Sequence, residues 1–286
     1  MSKPFPSARA LFPPHKRKLK VLRSRLRYYF YRTKARAQCE PWMDYLSNQP
    51  QTNAIFEAQP YRHYALLYCY GDKRFTPAQR REAMQYTFDF VAQKLGARYD
   101  ALVAQNALPF APLTDDISAY FNINQIDPLE GFFSLNLRDH SAQRLYDLVF
   151  MILPDKRMVI TSLQGPKGEQ AQALVRSLTK QLHGMRPHFM LVNLMKMLAA
   201  HWGCTLYGVA HKHQAKYRFN DHSRLLFNYD EFWAENEGEF EAQSGFWRLP
   251  TAIEQKSLEE IASKKRSMYR KRYAMLERAQ AEIATF

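Results

Sequence analysis

Four segments rich in β-branched and aromatic residues follow one another in the middle of the chain, and they constrain the fold more than any other feature. The segments are residues 117–123, 132–138, 145–153 and 158–163. Such composition is typical of strands. The turn Pro154-Asp155-Lys156 separates the last two segments, which predicts an antiparallel hairpin. Residues 148–153 are continuously apolar, as expected for a central strand covered on both faces.

Helical patterns surround these strands. One predicted helix begins at Pro77 and ends at Gly96, and another begins at Pro187 and ends at Gly203. Further strands are expected at 205–210 and 245–249, with a helical turn between them. The sequence therefore predicts an α+β (mixed α/β) fold: an antiparallel-rich central sheet flanked by helices, with a helical, basic amino-terminal region.

Composition divides the chain into three predicted ranges. Residues 1–39 form a basic lead-in and amphipathic helix, 40–115 a helical part, and 116–286 an α+β core with a basic carboxy-terminal helix. We expect the opening segment to be flexible through Pro14 and the terminal helix to span 253–281. Residues 64–70 read as a short strand, and 99–108 as helix or loop before two prolines break the pattern.

The positive charge is concentrated at the two ends. The net charge is +14, and the first 39 residues contain 12 Lys and Arg with no acidic residue before Glu40. A second basic cluster lies at 264–272, whereas the body between the ends is close to neutral. This distribution favours a polyanionic neighbour: an anionic membrane surface, a nucleic acid or an acidic protein face.

Residues 16–36 predict a helix in which large apolar residues recur at intervals of three and four. They are Leu19, Leu22, Leu26, Tyr29 and Phe30. In one interpretation this stripe docks the helix onto the protein core. In the other, the helix lies on anionic lipid. Nucleic acid is less favoured, since the chain has no recognisable nucleic-acid-binding motif.

Cysteine usage and hydropathy indicate the compartment. The three cysteines are odd in number, far apart and without a CxxC pair, which fits a reducing cytosol. The first 30 residues have no continuous apolar core like that of a secretory signal. The apolar helix candidate at 189–200 contains Asn193 and Lys196 and is too short to span a bilayer. We therefore expect a cytoplasmic protein, attached peripherally at the inner membrane.

Two glycine-containing connections are candidates for anion binding: one leads from a strand to a helix, and the other joins two helices. The first connection contains Gln164 and Gly165, and the second contains Gly184 and Arg186, with Lys180 just before it. Backbone amides at such positions can approach a phosphate, and cations can clamp it. Neither connection is a GxGxxG or Walker loop, so ordinary turn glycines are the alternative.

The candidate acid/base residues are His183, Asp230 and Glu231. His183 lies at a predicted helix end, and the two carboxylates belong to an acidic stretch near the carboxy terminus. The alternative for Asp230 and Glu231 is that they are solvated carboxylates that complement the charge of the basic ends, which explains the acidic stretch equally well. His211 and His213, with Asp221 and His222 nearby, are spaced so that they could bind zinc or iron, but no third ligand has a compelling position. We predict no metal site.

Several runs resemble the VirK/YbjX family of bacterial proteins in order and spacing. They are SLQG at 162–165, LTKQLHGMRP at 178–187, YDEFW at 229–233, Leu249-Pro250 and SKKRSMYRKR at 263–272. The family has no established biochemical activity, and its members are linked to virulence, surface-protein localisation and resistance to cationic peptides. The resemblance implies a protein acting at the inner face of the bacterial envelope.

A weaker resemblance is to the cofactor half of GNAT-type N-acyltransferases. It rests on the central hairpin, the glycine-containing connection, the helix at 187–202 and the strand after it. It implies an acyltransferase that uses acyl-CoA or an acyl carrier protein, and an acidic carrier protein would suit the basic surface. The usual Gln/Arg-x-x-Gly-x-Gly/Ala spacing is not clean here: Met185-Arg186-Pro187 replaces small residues, and Pro187 offers no amide. An enzyme of this kind and a non-enzymatic lipid- or nucleic-acid-binding protein are the alternatives.

Overall fold

A computed structural model describes residues 3–217 and 227–286. Within these residues one sheet has the strand order β1-β2-β3-β4-β5-β6-β8-β7. The strands are β1 (Ala107–Pro112), β2 (Ile117–Ile123), β3 (Phe133–Asp139), β4 (Arg144–Leu153), β5 (Arg157–Gln164), β6 (Thr205–Val209), β7 (Glu239–Glu241) and β8 (Phe246–Leu249). All neighbours are antiparallel except β5 and β6, which are parallel.

Helices flank this sheet. They are α1 (Ala8–Leu11), α2 (Lys18–Ser47), α3 (Pro50–Ala58), α4 (Tyr64–Leu67), α5 (Pro77–Leu95), α6 (Arg98–Gln105), α7 (Ala171–Gln181), α8 (Pro187–Trp202), α9 (Tyr229–Glu235) and α10 (Ser263–Ile283). Helix α5 packs against β4, α8 packs against β3, β4 and β6, and α10 packs against β1 and α8. The predicted α+β class, with its antiparallel-rich sheet, is confirmed.

The centre of the sheet is the predicted hairpin. Strands β4 and β5 pair from Asp147 with Gln164 to Leu153 with Arg157, and Leu148–Ile152 are completely buried. Thr87 of α5 attaches to this hairpin, since its hydroxyl accepts from the Ile152 amide and donates to the Ile152 carbonyl, both at 2.9 Å. Continuous apolarity along β4 thus reflects burial of both faces.

Local signals define the ends of two long helices as predicted. At the start of α5, the Thr76 hydroxyl accepts from the Gln79 amide while the Gln79 side chain accepts from the Thr76 amide. This reciprocal capping, with proline in the first turn, satisfies amides that the helix leaves unpaired. At the end of α8, Gly203 adopts the left-handed conformation with φ 68°, which glycine tolerates without a Cβ clash.

The amino-terminal segment is packed, which corrects the expectation of a flexible lead-in. Phe5, Ala8 and Leu11 are buried in the core. The Tyr28 hydroxyl donates to the Pro6 carbonyl at 2.6 Å, and Arg25 donates to the Phe12 carbonyl. Apolar side chains from residue 5 to residue 286 belong to one buried cluster, and α2 continues across position 39. The boundaries after residues 39 and 115 stay predictions.

Three element predictions were wrong. Residues 64–70 begin with α4 instead of a strand, because a run that is apolar on all sides carries no period that separates helix from strand. Strand β1 was missed because it contains Pro109 and Pro112, which it tolerates as the edge strand of the sheet. Helix α10 begins at Ser263, ten residues later than predicted.

Candidate functional site

Five large apolar side chains form an exposed row along the first half of α2, which we call the α2 stripe. Their exposed fractions are 83% for Leu19, 56% for Leu22, 62% for Leu26, 61% for Tyr29 and 56% for Phe30. The opposite face of the helix carries the buried side chains, among them Tyr28, Ala35 and Trp42. The interpretation that the stripe docks α2 onto the core is therefore wrong; α2 docks through its other face.

Exposed cations border the α2 stripe. At 3.6 residues per turn, Arg23, Arg27 and Lys34 lie along one side of it and Lys18 along the other. The Lys34 ammonium lies 4.3 Å from the centre of the Phe30 ring. Among the described residues, none of these four cations pairs with a carboxylate. The result is an apolar row edged by uncompensated positive charge.

A second candidate region is a buried polar cluster at the carboxyl end of β5. Glu130 is 3% exposed. Its carboxylate accepts a hydrogen bond from the side-chain amide of Gln164 at 2.6 Å and pairs with the Lys216 ammonium at 2.7 Å. Asp127 lies 3.7 Å from the same ammonium. Burial raises the pKa of Glu130, although Lys216 opposes this change. The cluster can hold or transfer a proton, and each of its polar groups already has a partner.

The parallel strands β5 and β6 separate beside this cluster. They pair only from Arg157 with Thr205 to Ile160 with Gly208, whereas β5 continues to Gln164. Open sheets commonly bind ligands beyond the carboxyl ends of their parallel strands. Here α9 fills the gap: the Leu163 amide donates to the Tyr229 hydroxyl at 2.9 Å, and the Trp233 indole donates to the Val209 carbonyl at 2.9 Å.

The predicted anion-binding residues lie in two different environments. Gln164 belongs to the Glu130 cluster, and a Cβ at Gly165 would lie 2.6 Å from the Tyr146 ring, so the backbone there is pressed against an aromatic side chain. Lys180 and Arg186 are exposed. Arg186 lines an open groove of about 620 Å³ along α7, which neither His183 nor Gln164 lines. Their shared role in binding a cofactor stays a prediction.

His183 and Gly184 form a turn that contacts the basic carboxy-terminal helix. His183 has a left-handed backbone with φ 51°, and its carbonyl accepts from Arg272 Nε at 3.1 Å and Nη2 at 2.9 Å. A Cβ at Gly184 would approach the same guanidinium and Met268. Partial burial, followed by the cations Lys271, Arg278 and Arg272, lowers the pKa of His183. Arg272 thus fixes this turn, and the imidazole is favoured in its neutral, proton-accepting form.

Asp230 and Glu231 occupy the first turn of α9. Asp230 Oδ1 accepts from the His211 amide at 2.9 Å and from the Trp247 indole at 2.8 Å, which ties α9 to β8 and to the segment after β6. Glu231 is exposed. These contacts give Asp230 a structural role, and an acid/base role for either carboxylate stays a prediction. Among residues 3–217 and 227–286, no group of His, Cys, Asp and Glu is arranged to hold a metal ion; Asp221 and His222 lie outside them.

Several buried ionic groups were not predicted from the sequence. They include the Glu130 cluster and Asp72, which is fully buried and bonded to Arg74 at 2.6 Å. Glu130 meets Lys216 only when the chain folds, and the neighbouring Arg74 does not show from the sequence that Asp72 is buried. All three cysteines are buried. Within the described part of the chain, no helix combines the length and apolar character needed to cross a membrane.

Comparison with known proteins identifies the family. A model described as Protein of unknown function (DUF535) matches residues 17–285. An uncharacterized protein of Haemophilus influenzae is 44% identical over 98% of this chain and 96% of its own length. The membrane protein LapB of Mannheimia haemolytica is 32% identical over 74% of this chain and 93% of its own. The uncharacterized protein YbjX of Escherichia coli is 25% identical over 85% and 77%, respectively. No solved structure matches significantly. The chain therefore belongs to the DUF535 family, and its predicted kinship with YbjX is confirmed.

Proposed function

We propose that this protein attaches peripherally to anionic membrane surfaces at the inner face of the bacterial envelope, and that the α2 stripe makes the contact. The observation that carries the proposal is the exposure of five large apolar side chains on one face of α2. The bordering cations Arg23, Arg27 and Lys34 are placed to meet lipid phosphates while the stripe enters the interface. The docked opposite face would hold the helix parallel to the protein surface.

Helix α2 supplies both an apolar and an electrostatic contribution to the free energy of such binding. Each exposed leucine contributes on the order of 1 kcal/mol when its apolar area leaves water. Each lysine or arginine near an anionic leaflet contributes about 1 kcal/mol at physiological salt. Neither term alone gives durable attachment, whereas their sum over the stripe and its border does. The name of the related M. haemolytica protein, membrane protein LapB, agrees with this proposal.

The charge requirement is tested by sedimentation with vesicles that contain phosphatidylglycerol or only phosphatidylcholine. We expect binding to the anionic vesicles, weakening as salt rises. The variant R23Q/R27Q removes two cations beside the stripe and should bind roughly 30-fold more weakly at low salt, as expected for about 2 kcal/mol. Binding that ignores salt and lipid charge would refute the proposal.

A matched control removes the same charge elsewhere. Lys264 and Lys265 are exposed at the start of α10, so K264Q/K265Q lowers the net charge equally without touching α2. We expect this variant to bind like the wild type. Deleting residues 1–36 is a poor substitute, because it also removes the buried Phe5, Leu11 and Tyr28. If duplex DNA displaces the protein from vesicles at physiological salt, nucleic-acid binding is favoured instead.

Acyl transfer from acyl-CoA or an acyl carrier protein is a second candidate function. It is supported by the parallel pair β5 and β6, which separates beyond Ile160 and Gly208 beside a buried carboxylate, Glu130. The donor would have to displace Tyr229 and Trp233 from this gap. Native mass spectrometry of the purified protein, alone and with added acyl-CoA, tests this candidate. Failure to detect a retained or added acyl donor would remove it.

A further inference from the structure

Arg62 is a buried cation that has no counter-ion within residues 3–217 and 227–286. Its side chain is 1% exposed and lies in the helical turn Pro60–His63 that follows α3. Nη2 donates to the Asn124 carbonyl at 2.8 Å, whereas Nε and Nη1 have no hydrogen-bond partner among the described residues. No carboxylate of the described chain pairs with this guanidinium.

The charge persists despite burial. Burial lowers the pKa of Arg62 to about 10, so the group is still protonated at neutral pH. The Phe132 ring, with its centre 6.0 Å from the guanidinium carbon, offers only weak compensation. Arginine is rarely fully buried unless paired, because an uncompensated buried charge is costly. Two unused donors and an unbalanced charge at one place would suit an acceptor. Arg80 has the same two atoms unpartnered among the described residues, so the case for a bound acceptor rests on the cavity that Arg62 lines.

Arg62 lines a cavity of about 700 Å³ between α3 and α6. Ile55, Ala58 and Val103 contribute apolar lining, and Gln59, Arg62 and Gln125 contribute polar lining. The side-chain oxygen Oε1 of Gln59 is also buried, with no partner among the described residues. The cavity therefore combines a cationic fork with an aliphatic surface. This combination suits a ligand that has a negative head and an apolar body.

The carboxyl ends of α3 and α6 affect which negatively charged head group can bind. Residues at the carboxyl ends of α3 and α6 contribute to the lining, and helix carboxyl ends carry partial negative charge. They oppose any anion, and a doubly charged group more than a singly charged one, so the head must gain more from Arg62 than it loses to these helix ends. The planar fork of arginine matches a carboxylate with two parallel hydrogen bonds.

We propose that this cavity binds a medium-chain monocarboxylate, with the carboxylate on Arg62 and the alkyl chain against Ile55 and Val103. The site shares no residue with the α2 stripe, so it stands or falls independently of membrane attachment. Its occupant would offset the charge of Arg62.

Thermal unfolding and titration calorimetry with octanoate, below its aggregation concentration, test the site. We expect octanoate to raise the unfolding temperature saturably, and expect octanol and inorganic phosphate at equal concentrations to have little effect. The variant R62M should bind octanoate at least about tenfold more weakly, as expected for the loss of charged hydrogen bonds. Equal stabilisation by phosphate, or no stabilisation by octanoate, would overturn the proposal.

Two further variants separate binding from folding. Arg80 is also buried, and its Nε and Nη1 have no partner in the described part of the chain. It does not line this cavity, so R80M should keep full octanoate affinity. V103W fills the apolar end while leaving Arg62 in place, and it should weaken octanoate binding even if R62M proves unstable. Octanoate affinity unchanged in V103W, or lost equally in R80M, would contradict the assignment.

Discussion

Replacing Leu22 and Leu26 with serine should weaken lipid binding without weakening the fold. Both side chains belong to the α2 stripe, and neither packs on the core. Surface substitutions of this kind usually change the free energy of unfolding by less than about 0.5 kcal/mol. The double variant thus separates the apolar contribution of α2 from its structural role.

The size of the effect follows from the exposed fractions. Complete burial of a leucine side chain is worth about 1.5–3 kcal/mol. Since 56% of Leu22 and 62% of Leu26 are exposed, entry into the lipid interface can bury slightly more than half of each. That amounts to about 1 kcal/mol per leucine and about 2 kcal/mol together. Partitioning onto vesicles should fall roughly 30-fold.

The assay is sedimentation with anionic vesicles over a range of lipid concentrations. Phe240 supplies the control, because it is 47% exposed on β7, far along the sequence from α2. F240S should bind lipid like the wild type, and urea unfolding should confirm that both variants are folded. If L22S/L26S binds within threefold of the wild type, or if F240S loses as much, the α2 stripe is not the lipid contact.

Three other predictions concern the stability of the fold. Burial lowers the pKa of His63, whose Nδ1 accepts from the Trp42 indole at 3.1 Å, to about 3. The unfolded chain therefore protonates His63 more readily than the folded one does. The free energy of unfolding should fall by up to about 1.4 kcal/mol per pH unit as the pH drops below about 6.5. In urea unfolding, H63N, whose side-chain oxygen can still accept the Trp42 hydrogen bond, should show a smaller change of this free energy with pH. At Gly208 a Cβ would overlap the Trp233 ring, so G208A should cost about 1–3 kcal/mol in chemical denaturation, and an unchanged midpoint would disprove this contact. D230A leaves the His211 amide and the Trp247 indole unpaired and should lower the free energy of unfolding by about 1–3 kcal/mol. D230N retains an acceptor and should lower it less. Equal losses of stability in thermal unfolding would argue against this hydrogen-bond role.

The elements that sequence reasoning located correctly are those whose signals are local. Pro77, directly after Thr76, marks the start of α5, and Gly203 marks the end of α8. The hairpin of β4 and β5 follows from two apolar segments joined by a short turn. Each signal acts within a few residues, so it has the same meaning whatever the rest of the chain does.

The candidate sites were predictable only in part. The five residues of the α2 stripe and the basic run around them are visible in the sequence, as are Gln164 and the turn at His183. The partners of Gln164 and His183 are not, because Glu130 and Arg272 come from distant segments. Arg62 likewise lies in an ordinary short turn, and only the packing around it shows that its charge is buried and that no carboxylate of the described segments pairs with it.

The amino-acid sequence by itself determined that α2 is a helix with an apolar stripe and a basic border. It did not determine which way that helix faces, because α2 carries a second apolar face, with Tyr28, Ala35 and Trp42, that competes for the core. Only the tertiary structure decided between them: the aromatic pocket around Trp42 buries that face, and the α2 stripe is left exposed to solvent. Periodicity defines the faces of a helix, but burial depends on the complementary surface that other segments provide.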